Sequence, residues 1–431
     1  MIEFLSFLKD PNLQYVLWGC ILLSFSAGLI GCFAYLQKKA LIGDAISHSV
    51  LPGVAIAFML IEIKSLPVLL TGAFISGIIS QYLVVKLSEH PKISKDTAIG
   101  FVLTFFFGIG IVLLTYIQQS GHAGQSGLED FIFGKAATLV QKDINLFIGL
   151  SVIIIIVVLL MKKEFTIISF DEDFAHTSGM NVSMINKIMT GLYVMAIVSG
   201  IQAVGVVLMS ALVITPAAAG RFWTNNINKL LIISSLIAGL GGGIGVLISY
   251  SAPQMPTGPW VVVVLSVIAL ISFLIAPQTG IISKWFNQRK NKQKIHNENI
   301  LKLLYKICEK KGNIQCSIDK YEAAKRYSLS NKEFFNKLNK LYKNNYLEYL
   351  INNQIQLTKK GVEEGQRIVR LHRLWEAYLA TYLNIAPDHV HDDAEAIEHV
   401  LTPELEAKLD KLLDYPEADP HEAKIPRKKN I

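Results

Sequence analysis

Charge is scarce over the first two-thirds of this chain. Residues 1–283 carry 14 Lys and Arg against 13 Asp and Glu, whereas 284–431 carry 27 against 21. Across the 431 residues only 17% are charged, below the roughly one quarter usual in soluble domains. Cysteine is sparse too. Cys20 and Cys32 lie in apolar segments and Cys308 and Cys316 in the polar tail, a spacing that excludes both a disulfide framework and a zinc knuckle. The phosphate-cradling pattern G-x-x-x-x-G-K-[ST] occurs nowhere in these residues, which excludes P-loop nucleotide hydrolysis by this chain. The N-terminal residues offer Glu3, Lys9 and Asp10 rather than a basic cluster. That argues against a cleaved signal peptide and for a first apolar segment retained as an anchor.

What is abundant is apolar length, with 52% hydrophobic residues and a mean hydropathy of +0.40. Runs able to cross about 30 Å of hydrocarbon lie near 14–36, 67–88, 97–117, 144–161, 228–250 and 259–276. A shorter run at 49–61 and a long one at 188–218 bring the expectation to eight or nine spans. The long run is expected to bend or divide at Pro216, which lacks a backbone donor. Basic residues in short loops face the cytoplasm: Lys38 and Lys39; Lys86, Lys92 and Lys95; Lys162 and Lys163; Arg221 and Lys229; and Lys284 to Lys294 after the last run. The uncharged 252–258 loop and the Gly-rich 118–128 segment then face outward, and the tail is cytoplasmic. Small residues four apart, Gly72, Ser76 and Ser80, Gly239 and Gly243, Gly241 and Gly245, predict close helix packing in lipid.

Ionisable residues inside apolar segments are costly and tend to line a pathway. Asp44 and His48 stand four apart, one face of a helix. A carboxylate with an imidazole suits Mn²⁺, Zn²⁺ or Fe²⁺ better than cations that prefer all-oxygen shells. From the residues alone a second reading stands beside this one, with Asp44 capping a helix N-terminus and His48 a satisfied interfacial histidine. Pro52-Gly53 just beyond predicts a break or kink beside a cavity.

The segment from Lys39 to Val54 resembles the signature of the permeases of zinc, manganese and iron ATP-binding-cassette importers. Two further stretches agree with that family. Ser169-Phe-Asp-Glu-Asp-Phe-Ala-His-Thr-Ser-Gly-Met is similar to the cytoplasmic coupling helix that docks into the ATPase. Gly205-Val-Val-Leu-Met-Ser-Ala-Leu-Val-Ile-Thr-Pro-Ala-Ala-Ala-Gly is similar to a signature of a late helix. The likeness covers about residues 10–280 and implies an all-α polytopic permease, not an enzyme. It implies metal passage at Asp44 and His48, and ATPase coupling through Asp171, Glu172, Asp173, Phe174 and Gly179. Its implied partners are a separate ATPase subunit, an extracytoplasmic metal-binding protein and a second permease subunit. The coupling segment also makes independent sense, because Asp171, Glu172 and Asp173 would complement the dipole of a short helix. His122 in the outward loop is placed to meet a binding protein, although solvation alone would suit it.

The tail divides by charge, with 18 basic and 6 acidic residues in 284–360 and 9 against 15 in 361–431. A basic half suits DNA or anionic lipid, or simply a solvated surface. The stretch 284–297 reads as a polar basic linker. Residues 298–360 read as three helices and a strand pair around Asn352-Asn353, the order of a winged helix. Ser330, with Glu333 three residues on, forms a capping box. Lys332, Asn336, Lys337 and Lys340 then offer phosphate or base contacts, with Phe334, Phe335 and Leu338 toward the core. Beyond 361, His372 and Glu376 stand at helical spacing, as do His391, Glu395, Glu398 and His399. An acidic amphipathic helix with solvated histidines is the commoner source of that pattern.

Residues 298–427 are similar to the diphtheria-toxin-repressor type of iron- and manganese-dependent regulators, down to the Pro420-His421 and Ile425-Pro426 ending. The likeness implies one metal site from His372, Glu376 and His391 and another from Glu395, Glu398 and His399. Glu395 stands where iron-type members have cysteine, which is the manganese-type choice. Asn299 and Lys302 depart from that pattern, because manganese-type members present carboxylates there. The expectation is therefore a permease for a divalent transition metal with a fused metal-sensing domain of residues 361–431. The alternative is a metal-dependent DNA-binding repressor, tethered to the permease or released in the 284–297 segment.

Overall fold

The computed structural model describes residues 11–62, 65–119, 139–251, 255–277, 279–314, 316–327, 330–383 and 403–426. The chain divides into two units, Met1–Lys284 and Trp285–Ile431.

The first unit is helical: α1 (Pro11–Leu36), α2 (Ile42–Ile61), α3 (Leu66–Ser88), α4 (Lys95–Gln119), α5 (Gln141–Leu160), α6 (Lys162–Phe170), α7 (Glu172–Thr177), α8 (Val182–Val204), α9 (Val206–Arg221), α10 (Ile227–Tyr250) and α11 (Thr257–Ile275). Among the described residues eight of these, α1 to α5, α8, α10 and α11, are long and apolar enough to cross a membrane. Apolar α9 is shorter. The long run at 188–218 divides at Gly205, with φ 96° and ψ 156°, while Pro216 lies inside α9. Only a residue without Cβ adopts that backbone at low cost, whereas the donor missing at a proline is tolerated inside a packed membrane helix.

Helix α1 is central, packed by α5, α9 and α10, and α2 packs against α3, α4 and α9. The α2–α3 crossing is made at glycine. A Cβ on Gly53 would lie 2.2 Å from the Gly72 carbonyl oxygen, so backbones meet there directly. Ser76 seals the crossing by donating to the Ser49 carbonyl at 2.6 Å. The small residues of α10 serve two neighbours, Gly239 and Gly243 facing Ile21 of α1, and Gly241 and Gly245 facing Leu265 and Val261 of α11.

The second unit holds most of α12 (Ile281–Lys310), then β1 (Ile318–Asp319), α13 (Lys320–Lys325), α14 (Asn331–Lys343), β2 (Leu347–Tyr349), β3 (Gln354–Leu357), α15 (Lys359–Tyr382) and α16 (Pro403–Leu412). The stretch 284–297 is helical and lies within α12; it contains no glycine or proline to interrupt a helix. The sheet runs β1-β3-β2, antiparallel, with Leu347 opposite Leu357 and Ile318 opposite Ile355. Asn352 and Asn353 both have positive φ within the three-residue turn 351–353, which the pairing of Tyr349 with Ile355 and the Leu350 amide donating to the Gln354 carbonyl leave between the strands. Ile300, Leu304, Phe334, Leu338, Ile355 and Val369 form its core. Phe335 is only partly buried and meets Tyr321 edge-on at 5.2 Å.

Candidate functional site

Helix α2 begins after Leu41, which supplies no side-chain cap, and Asp44 lies in its first turn. The capping role open to Asp44 is therefore not taken up. Asp44 and His48 are both half-buried and share a face one turn apart. The imidazole of His48 meets Phe107 of α4 edge-on, with ring centroids 5.0 Å apart. Its Nδ1 is buried and has no hydrogen-bond partner among the described residues. Such an orphan is costly in a membrane interior, and it is the atom type a transition-metal ion takes. Pro52 stays inside an unbroken α2 and adds a further oxygen. A proline removes the amide that residue i−4 would use, and residue i−4 is His48. Carboxylate, imidazole and freed carbonyl thus lie within one turn of helix.

The coupling segment forms where the sequence places it. Asp171 accepts the Phe174 amide at 2.8 Å and caps α7, and Gly179 ends it at φ 80°. Ala175 is buried against the unit while Asp171, Glu172, Asp173 and Phe174 are exposed, Phe174 by 56%. Glu172 accepts from Asn186 Nδ2 of α8 at 2.8 Å. Burial lowers the pKa of the Lys39 ammonium; Glu172 opposes that effect and Lys95 adds to it. So α7 is held to α8 and sits in the field of the loop that leads into α2. The preceding α6 is anchored on α1 by Phe165 against Phe33, 5.5 Å between ring centroids.

In the second unit Ser330 caps α14 at the Glu333 amide, 3.4 Å, and its hydroxyl reaches Glu333 Oε2 at 3.2 Å. Lys332, Asn336 and Lys340 are exposed and Lys337 is half-buried. Lys340 donates to Gln293 of α12 at 3.1 Å. Burial lowers the pKa of His296, as do Lys337 and Lys292, with Glu333 opposing.

His372 and Glu376 come together on α15, buried to 1% and 2% exposure, with Nε2 and Oε1 3.1 Å apart. Lys302 of α12, 7% exposed, places its Nζ 3.1 Å from His372 Nδ1. An ammonium has donors and no lone pair, so Nδ1 accepts and the ring proton sits on Nε2, donated to Glu376. Both ring nitrogens are engaged. Of the three ligands implied for this position, the two described ones do not fit a metal as they stand, because neither ring nitrogen offers it a lone pair. Among the described residues no group of three or more His, Cys, Asp and Glu forms a cation site. His391, Glu395, Glu398 and His399, and His122 in the first unit, lie outside the described residues. Residues that sequence reasoning did not assign to a site are Lys39, Asn186 and Phe107. The last two carry no chemical signature; Lys39 appeared as a topology marker and as the first residue of the Lys39–Val54 segment, without a role of its own.

Comparison with known proteins matches two separate parts of the chain. A model of the ABC 3 transport family matches residues 9–276. A model of the iron-dependent repressor metal-binding and dimerisation domain matches residues 358–427. The manganese transport system membrane protein MntC of Bacillus subtilis is 38% identical over 379 residues, 88% of this chain and 86% of that protein. The zinc transport system membrane protein TroC of Treponema pallidum is 42% identical over 282 residues, 65% of this chain and 95% of that protein. The solved structure of PsaBC from Streptococcus pneumoniae in complex with Fab is 30% identical. It matches with a TM-score of 0.59 over 67% of this chain and 100% of that chain.

Proposed function

This chain belongs to the ABC 3 transport family, and we propose on that footing that it imports Mn²⁺ or Zn²⁺ past Asp44 and His48. It is a multi-pass membrane subunit with a repressor-like domain fused on the cytoplasmic side. It is a transport protein rather than an enzyme, and its family works with an ATPase and a substrate-binding protein. The observation that carries the site is His48 Nδ1, buried without a partner one turn from Asp44. Both residues are half-buried in the single chain, so the pathway is completed by a second permease subunit packed over this face.

Force enters at α7. Exposed Phe174 and the acidic turn of Asp171, Glu172 and Asp173 offer an apolar contact and a charged rim to the ATPase, with Gly179 closing the segment. Asn186 holds Glu172 to α8, and the Lys39 loop beside it leads directly into the helix that bears Asp44. Movement of α7 therefore reaches the metal pair through a short path.

The fused domain regulates transport from the cytoplasm. Its alternative role as a repressor released by proteolysis needs extended chain in 284–297, and that stretch is helical; proteases favour exposed loops. In the tethered form DNA would be the ligand of Lys332, Asn336, Lys337 and Lys340, and the tie of Lys340 to Gln293 weighs against it.

The test is uptake of radioactive Mn²⁺ and Zn²⁺ into vesicles carrying this chain with its ATPase. Asp44→Ala and His48→Ala are expected to abolish uptake with subunit assembly unchanged. Transport at the normal rate through both variants would remove the pathway from this helix.

A further inference from the structure

Beside His372 the chain sets a cation of its own. A metal-ligating imidazole must present a lone pair, and its other nitrogen then donates to a carboxylate that orients the ring. Here Nε2 and Glu376 Oε1, the two implied ligands, are 3.1 Å apart. At the other nitrogen, Nδ1, stands Lys302 Nζ, 3.1 Å away; with an ammonium there Nε2 keeps its proton, and neither nitrogen offers a lone pair to an ion shared with Glu376. All three side chains are buried, so the contact is not a passing one of a flexible surface lysine. A buried polar set persists only where it is mutually satisfied. While the ammonium holds Nδ1, the nitrogen beside Glu376 carries the ring proton and has no lone pair for a divalent ion.

We propose that Lys302 serves as a built-in cation, so that the His372–Glu376 position holds α12 to α15 without a divalent metal. The proposal takes the fused unit to be a regulator-type domain, as above, and concerns this position alone. The regulator fold is then assembled whether or not the cell is replete, and any metal response of the tail arises elsewhere in it. A covalently attached charge has no off-rate and no dependence on metal concentration, which is what separates a structural strut from a sensor.

The test uses the full-length chain in detergent with Asp44→Ala and His48→Ala, so that the transport pair does not contribute. Mn²⁺ stoichiometry is read by equilibrium dialysis, and hydrogen exchange of the 359–383 peptides reports whether α15 is ordered. In this background His372→Gln is expected to leave the bound Mn²⁺ unchanged, and millimolar Mn²⁺ to leave α15 exchange unchanged. Lys302→Glu should add one Mn²⁺ per chain, lost again in Lys302→Glu/His372→Gln. Asn299, one turn earlier on α12, has an Oδ1 without a hydrogen-bond partner among the described residues, an oxygen the new carboxylate would join. Lys302→Met, which removes the charge and adds no ligand, should speed α15 exchange in metal-free buffer. The proposal is overturned if His372→Gln costs the chain a Mn²⁺ ion, or if Lys302→Met leaves α15 protected only when Mn²⁺ is present. Either result would leave the transport reading intact, since uptake through Asp44 and His48 is measured on the unaltered pair.

Discussion

Pro52 stands four residues after His48 on one continuous helix, so the carbonyl of His48 has no helical amide to receive. Gly110 of α4 packs onto the same spot, where a Cβ would come within 3.2 Å of Pro52 Cδ. The histidine whose Nδ1 is left without a partner therefore also carries a carbonyl released from the helix ladder.

Pro52→Ala returns an amide to that carbonyl. The helix becomes intrinsically better, by up to about 3 kcal/mol at an interior position, while one oxygen is withdrawn from the pathway. Protein yield is expected to hold or rise and Mn²⁺ uptake to fall by about tenfold, the equivalent of about 1.4 kcal/mol. An uptake rate equal to that of the unaltered chain would show that the carbonyl takes no part.

At α7 the two sides of the helix separate contact from folding. Phe174 is exposed, so Phe174→Ala should change stability by no more than about 0.5 kcal/mol. It should nevertheless weaken co-purification with the ATPase severely. Asp171→Ala loses a helix cap worth about 1 kcal/mol and should loosen the segment first, seen as faster hydrogen exchange across 172–177. If Phe174→Ala retains the ATPase at full stoichiometry, the docking surface lies on another loop.

His296 gives the tail a pH dependence of known sign. Burial, Lys337 and Lys292 lower its pKa in the folded unit, with Glu333 opposing, and Tyr327 Oη lies 3.3 Å from its Nδ1. The unfolded chain, with an ordinary value of about 6.5, then binds the proton first as pH falls. Its contribution is fully present above about pH 6.5 and is lost as pH falls from there toward the folded value. Urea unfolding followed by exchange of the 296–310 peptides should show less stability at about pH 5.5 than at about pH 7.5. His296→Gln should flatten the difference. A slope unchanged by that variant would assign the effect to other groups.

Much of this was legible because it depends on near neighbours in the chain. Ser330 and Glu333 are three apart, and their capping geometry needs nothing beyond one helical turn. Asn352-Asn353 between two short apolar stretches specifies a hairpin by backbone preference alone. The division of the 188–218 run was not located correctly. Pro216 is the louder signal in sequence, but a packed helix absorbs a missing donor, and Gly205 marks the break only through its φ.

By itself the sequence determined the apolar runs from which most spans form, the placing of Asp44 and His48 one helical turn apart, and the fused second unit. These follow from length, hydropathy and spacings of three or four residues, all short-range. Tertiary structure decided what those side chains meet. Lys302 and His372 are seventy positions apart, and nothing local announces that a lysine's charge ends on an imidazole nitrogen. That contact exists only because α12 and α15 bury both groups together, where each polar atom must find a partner inside the fold.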